Sequence, residues 1–196
     1  IVVSDSAIGK LKPGSRFSNS EIQKERDRIT ALIKNHGYFN FNGLYISFQA
    51  DSGIGNNQVD MWMTITNPRP SEADTLLRKD SVLYRHQKNY FAEINVEMDY
   101  DPINIVQGQE KDTITDHGIR FIGKPEMLSQ YKTHHFLDHI YTRKDSIYSL
   151  EDIDLTYRRL SDLGLFRFVN IRMESGSIPD TSGKVPLKCN ILLAPQ

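Results

Sequence analysis

His134, His135 and His139 crowd into one short stretch, and His135 and His139 stand at i, i+4, the spacing with which two imidazoles on one helix face grip zinc. A zincin would need glutamate directly after the first histidine. Here Phe136 follows His135 and no third ligand is near, so the pattern reads as a solvated helix face and no metal is expected. Asp99, Asp101 and the Asp51-containing turn offer paired carboxylates or calcium oxygens. Neither stretch has the ligand spacing of a calcium loop, and both read as turns. Serines, histidines and aspartates are present without order, and GxSxG, Walker A and CxxC motifs are absent. The chain therefore does not read as an enzyme, and it calls for no cofactor. The single cysteine, Cys189, lies in an alternating apolar stretch, where a small buried core residue is expected rather than a reactive thiol. It has no internal disulfide partner and does not decide the compartment. Arg26 and Arg28, like Arg158 and Arg159, are expected to face solvent or pair with nearby carboxylates, with partner binding as the sharper alternative.

The elements that would position such residues come from a chain of 196 residues with 38% hydrophobic content, enough for one or two modest cores. No apolar run approaches the roughly 20 residues that a membrane-spanning helix needs. A net charge of −1 offers no general attraction for phosphate backbones, so nucleic acid is not an expected partner. Ile1-Val2-Val3 runs into Ser4-Asp5-Ser6 with neither a basic start nor a long apolar region. This abrupt opening is expected of an excised fragment whose targeting segment lies outside it.

The organising stretch runs from Tyr148 to Met173. Ser149 is placed as an N-cap, Asp152 sits three residues on as the capping carboxylate, and Tyr148 and Ile153 hold the hydrophobic-staple positions. Phe17, Ser18, Glu21 and Ile22 repeat that arrangement. Gly164-Leu165-Phe166 ends the later helix as Gly37-Tyr38-Phe39 ends the earlier one, because a left-handed C-cap favours glycine. Ser18 to Gly37 is 19 residues and Ser149 to Gly164 is 15, a difference of about one helical turn. The landmarks share one offset: Gly37 to Gly164 and Pro68 to Pro195 are both 127 residues apart. The last strands match better at 128, which a bulge in one copy would explain. An internal duplication is the resulting expectation.

In order, the sequence predicts a short strand at Ile1 to Val3, a turn at Lys12-Pro13-Gly14, and a helix from about Asn19 to His36 with Ile22, Ile29, Leu32 and Ile33 on one face. A hairpin follows, Leu44, Ile46 and Phe48 alternating before the DSGIGNN turn, and Val59, Met61, Met63 and Ile65 after it. Asn67-Pro68-Arg69-Pro70 ends it, and the charged residues after Pro70 read as a linker. Tyr90 to Tyr100 alternates as a strand. Ile103 to Thr115 reads as a loop, and His117 to Ile122 as a piece that could pair beside that strand. A helix is predicted from Pro125 to about Tyr141. The second capped helix comes next, with Ile153, Tyr157, Leu160 and Leu163 inward. Two strands carrying Val169, Ile171, Met173 and Val185, Leu187, Cys189, Ile191, Leu193 close the chain.

The order resembles the POTRA domains of the BamA and TamA outer-membrane protein assembly family, most closely the Bacteroidetes-type forms. The residues that carry the resemblance are Glu25-Arg26-Asp27-Arg28-Ile29 with Gly37-Tyr38-Phe39, and Tyr148-Ser149, Thr156-Tyr157-Arg158-Arg159-Leu160 and Leu163-Gly164-Leu165-Phe166 with Val169 and Ile171. It implies an α+β fold of two βααββ units, each a three-stranded mixed sheet covered on one face by helices. Residues 1–68 would form the first, clipped in its opening strand and first helix. Residues 69–88 would be the linker, and residues 89–196 the second unit, with an insertion at about 102–125. The resemblance further implies a location on the periplasmic side of the bacterial outer membrane, ahead of a C-terminal membrane barrel in the parent chain. Unfolded β-barrel proteins and accessory assembly proteins are the implied partners.

A sheet covered on one face leaves an edge strand whose unpaired N–H and C=O groups can accept another chain by β-augmentation. The resemblance points to the strand after each glycine: Leu44, Tyr45, Ile46, Ser47, Phe48 and Gln49, and Val169, Asn170, Ile171, Arg172 and Met173. Asn170 and Ser47 are the trial positions for a proline that would remove an outward donor. Two other readings compete: a rigid periplasmic spacer that docks accessory proteins, and a periplasmic carbohydrate binder or enzyme, which would need a concave pocket with convergent polar groups.

Overall fold

The structure, a computed structural model, describes residues 11, 14–56, 58–69, 85–101, 111–176 and 178–196. The strand expected at Ile1 to Val3, most of the expected linker and residues 103–110 of the expected loop lie outside these. The described residues fall into two compact units, one drawn from Ile1–Lys34 and Asn40–His86, the other from Asn35–Phe39 and Gln87–Gln196.

In the first unit, helix α1 (Asn19–Asn35) buries Glu25, Ile29 and Ile33. Its opening bond runs from Ile22 N–H to the Ser18 carbonyl at 3.1 Å, while the Ser18 hydroxyl pairs with that of Ser20. Phe17, the expected staple residue, stands nearly half exposed. Glu25 forms a two-pronged pair with Arg28 at 2.7 and 3.0 Å, and Arg26 lies over the Phe48 ring at 5.7 Å. Both arginines thus serve packing within the unit. Strands β1 (Ile46–Asp51) and β2 (Asp60–Ile65) form an antiparallel two-stranded sheet in which Ile46, Phe48 and Ala50 face Ile65, Met63 and Met61.

The second unit holds a five-stranded sheet in the order β4-β5-β3-β7-β6. Its strands are β3 (Asn89–Glu97), β4 (Asp112–Asp116), β5 (Ile119–Gly123), β6 (Phe166–Ser175) and β7 (Val185–Pro195). The α+β class stands, with strand counts of two and five among the described residues where three and three were expected. In the first unit the expected opening strand lies outside the described residues, and in the second the inserted hairpin adds two strands. β5 pairs parallel to β3, so Ile94 meets Ile119 and Val96 meets Phe121, and β4 folds back antiparallel on β5. Part of the stretch read as a loop is therefore strand β4. β3 and β7 are parallel and β6 and β7 antiparallel, with a register shift between Phe166 and Phe168 that makes a bulge at Arg167. The first hairpin has none.

One face of this sheet carries Ile94, Val96, Ile119, Phe121, Leu187, Cys189, Ile191 and Leu193, all with no exposed surface. Helices α2 (Pro125–Gln130), α3 (His134–Leu137) and α4 (Leu150–Asp162) cover it, contributing Leu128, Phe136 and Leu160 to the same core. The single helix expected to run to Tyr141 is broken at Tyr131 to Thr133. α4 starts as its sequence dictates: Ser149 Oγ accepts the Asp152 N–H at 3.3 Å, and Tyr148 and Ile153 pack into the core. A second cap comes from far away in sequence, Asn35 Oδ1 accepting the Glu151 N–H at 3.0 Å.

The opposite face of the sheet carries a row of polar pairs, with Phe168, Leu192 and Ala194 as an apolar patch at one end. Arg120 pairs with Glu93 at 2.7 Å, Lys111 with Glu97 and with Asp99, and Asn95 donates to Asn190, which donates to Glu174. Such cross-strand pairs hold register on a face that meets water.

Candidate functional site

β6 is the outermost strand of its sheet, and among the described residues no strand pairs with its free side. Which of its residues point outward follows from two observations. Gly176 N–H donates to the Pro186 carbonyl at 2.9 Å, and the register from Phe168 to Ser175 is unbroken. Antiparallel bonding alternates along a strand, so the bonded pairs continue at Glu174 with Lys188, Arg172 with Asn190 and Asn170 with Leu192. The N–H and C=O groups of Val169, Ile171 and Met173 therefore project away from β7. These three carry the side chains that pack, half-buried, against the core. The main-chain edge and the apolar stripe thus belong to the same residues.

The same reasoning applies to β1. Thr66 N–H donates to the Tyr45 carbonyl at 2.9 Å, which makes Ser47 with Thr64 and Gln49 with Trp62 bonded pairs. Ile46 and Phe48 point their main-chain groups outward instead. Asn170 and Ser47, the trial proline positions, both bond inward, and proline there would break a ladder rather than remove an outward donor. Leu44 and Tyr45 are not in the strand. They sit in a 3-10 turn (Gly43–Tyr45) capped by Asn42 Oδ1 on the Leu44 N–H at 2.9 Å, and Leu44 is 91% exposed.

The open side of β6 has its own chemistry. Phe168, Asn170, Arg172 and Glu174 point there, opposite to the apolar stripe. Arg172 Nη2 donates to the Tyr100 hydroxyl at 3.2 Å and its guanidinium lies 5.8 Å from that ring's centre, while Phe168 stacks on Tyr100 at 6.4 Å. Sequence reasoning missed this cluster, because Tyr100, which joins Phe168 and Arg172, lies 72 residues from Arg172.

Other singled-out residues take quieter places. α3 ends at Leu137, so His135 and His139 do not share a helix. They line an open groove of about 460 Å³ together with Tyr131, Phe136, Leu163 and Leu165. Among the described residues no group of three or more histidine, cysteine or carboxylate side chains is placed to hold a metal. Asp99 pairs with Lys111 at 3.1 Å, and Asp51 Oδ1 accepts the Gly53 N–H as a turn residue. Cys189 is fully buried in the core, and burial pushes its thiol up to about 12, far from thiolate reactivity. No helix among the described residues is long and apolar enough to cross a membrane.

No family model matches the chain, and no curated protein matches it. Solved structures do. The crystal structure of Haemophilus influenzae BamA POTRA3-5 is 12% identical with a TM-score of 0.51, over 97% of this chain and 54% of that one. BamA from Haemophilus ducreyi lacking POTRA domains 1-3 is 12% identical at a TM-score of 0.49, over 93% of this chain and 25% of that one. The N-terminal domain of Omp85 from the cyanobacterium Thermosynechococcus elongatus is 12% identical at a TM-score of 0.27, over 97% and 90%. The first of these likenesses gives the chain a POTRA-type fold. The chain spans about half the length of the Haemophilus influenzae structure it matches.

Proposed function

We propose that this POTRA-type chain works on the periplasmic side of a bacterial outer membrane, as part of a protein that assembles or inserts β-barrels, and holds extended client segments by pairing them to the edge of β6. The observation that carries the reading is the row of outward main-chain groups at Val169, Ile171 and Met173, paired by no strand among the described residues, in a sheet whose other outer strand is short. Backbone groups on a sheet edge offer bonds to any extended chain, which suits a module that meets many unfolded clients. The outward groups of Ile46 and Phe48 on β1 offer a second such row in the first unit. A membrane barrel elsewhere in the parent protein and accessory assembly proteins complete the proposed setting.

The test uses proline at an outward position. Ile171→Pro removes one donor from the free side while leaving every bond to β7 in place, and Ile171→Ala controls for the lost side chain. Both variants, verified as folded by thermal melting, are titrated with a peptide copied from a barrel strand. The proline variant is expected to bind about tenfold more weakly than the alanine variant. Equal binding by the two would exclude this edge and favour the rigid spacer that docks accessory proteins.

A further inference from the structure

We propose that the β6 edge is selective as well as adhesive, taking an antiparallel segment that alternates apolar and polar residues and carries a carboxylate opposite Arg172. The inference rests on the β-augmentation reading and specifies its ligand. Two properties of β6 combine to give it.

The first is the division of faces. A strand added to β6 bonds to Val169, Ile171 and Met173, and its residues opposite them share their side of the sheet, next to a stripe that is only half covered. Apolar side chains there complete the coverage and remove surface from water. The neighbours of those residues point to the other side, where Asn170, Arg172 and Glu174 form a polar row along the edge strand itself, Arg172 and Glu174 standing beside Asn190 and Lys188. An added strand with apolar residues in succession would place half of them against that polar row. Alternation with period two is the pattern of a transmembrane barrel strand, apolar outward and polar inward.

The second is the charge at the centre of the edge. Because Arg172 bonds inward, the residue opposite it on an antiparallel added strand forms a non-hydrogen-bonded pair, the kind in which Cα atoms lie about 4.5 Å apart and side chains touch most closely. Glu174 already accepts a bond from Asn190 at 3.0 Å. Arg172 has no ion pair among the described residues, and its guanidinium is held in place by the ring and hydroxyl of Tyr100. A preorganised cation without a counter-charge favours a carboxylate across the strand and disfavours a lysine. Arg172 thereby fixes the register in which a client is taken.

The whole chain is titrated, by fluorescence anisotropy, with three labelled peptides about as long as β6, itself 10 residues. One alternates apolar and polar residues with glutamate at its central polar position. The second has the same composition with its apolar residues contiguous, and the third replaces the glutamate with lysine. The alternating glutamate peptide is expected to bind about tenfold tighter than the contiguous one and about fivefold tighter than the lysine one. Arg172→Glu should reverse the order of the glutamate and lysine peptides. Should that variant fail to fold, Arg172→Met should make them equal. Equal binding of the alternating and contiguous peptides, with both lost in Ile171→Pro, overturns the selectivity while leaving the edge intact. Binding that ignores the charge at position 172 overturns the role of Arg172. No binding by any peptide overturns the edge itself.

Discussion

Gly37 and Gly164 both hold positive φ, 103° and 65°, where an L side chain is strained, yet their surroundings differ. A Cβ on Gly164 would meet nothing within 4 Å, whereas one on Gly37 would come within 2.6 Å of Ile147 Cγ2. Gly164→Ala should therefore cost only the backbone term, about 1–2 kcal/mol, and a β-branched valine there somewhat more. Gly37→Ala adds a steric clash and should cost clearly more than Gly164→Ala when the two are compared by urea denaturation. Asp180 invites a different measurement. Its Oδ1 accepts from Ser182 N–H, Ser182 Oγ and Lys184 N–H, and these bonds, the Ser182 hydroxyl first, hold its carboxyl below the ordinary value of 3.8. A depressed native pKa means that the stabilisation is complete above the ordinary value and drains away as pH falls through the lower native one. The protection of the Ser182 and Lys184 amides against exchange, relative to an unstructured peptide at the same pH, should fall over that acid window in the parent and be lost already at neutral pH in Asp180→Ala.

At the scale of elements, Thr156 is the joint between α4 and the segment before it. Its hydroxyl accepts the Tyr141 N–H at 2.9 Å and donates to the Asp152 carbonyl at 2.7 Å, with no exposed surface. Thr156→Val keeps the shape and orphans the Tyr141 N–H, which should cost about 1–3 kcal/mol by thermal or chemical denaturation. Much of this architecture was legible in sequence. Ser149 and Gly164 bracket α4 because caps are local chemistry, and the apolar residues at every second position from Val185 to Leu193 mark β7 because the helix side of the sheet is dry. Other elements left little trace. β4 reads DTITD, one apolar residue among polar neighbours, since both its faces meet water. The break between α2 and α3 at Tyr131-Lys132-Thr133 contains neither glycine nor proline, so tertiary packing alone ends the first helix.

For the whole molecule, the alternation that reveals which face a side chain takes cannot reveal which edge its main chain serves. Both properties repeat every two residues, and the phase between edge and neighbour is set by pairing across the sheet. Asn170 and Ser47 served as trial proline positions on the expectation that they bond outward. The bonds from Gly176 to Pro186 and from Thr66 to Tyr45 put both on the inner ladder. The Tyr100–Arg172 contact was equally invisible, being made only when β3 and β6 are carried to either side of β7.

The inserted hairpin bears on symmetry. Had β3 been left as the second outer strand, two copies of the sheet could join head to tail, β6 of one on β3 of the next, and each addition would present the same free edge again, the open arrangement that grows into filaments. β5 covers that side, and the strand beyond it is only five residues long with Asp112 and Asp116 at its ends, a poor template for pairing. What remains to the second unit is β6 meeting β6 across a twofold axis, a contact that consumes both edges and then stops. Sheet-to-sheet association through this unit should accordingly halt at pairs as concentration rises in sedimentation, an assembly that closes on itself instead of growing.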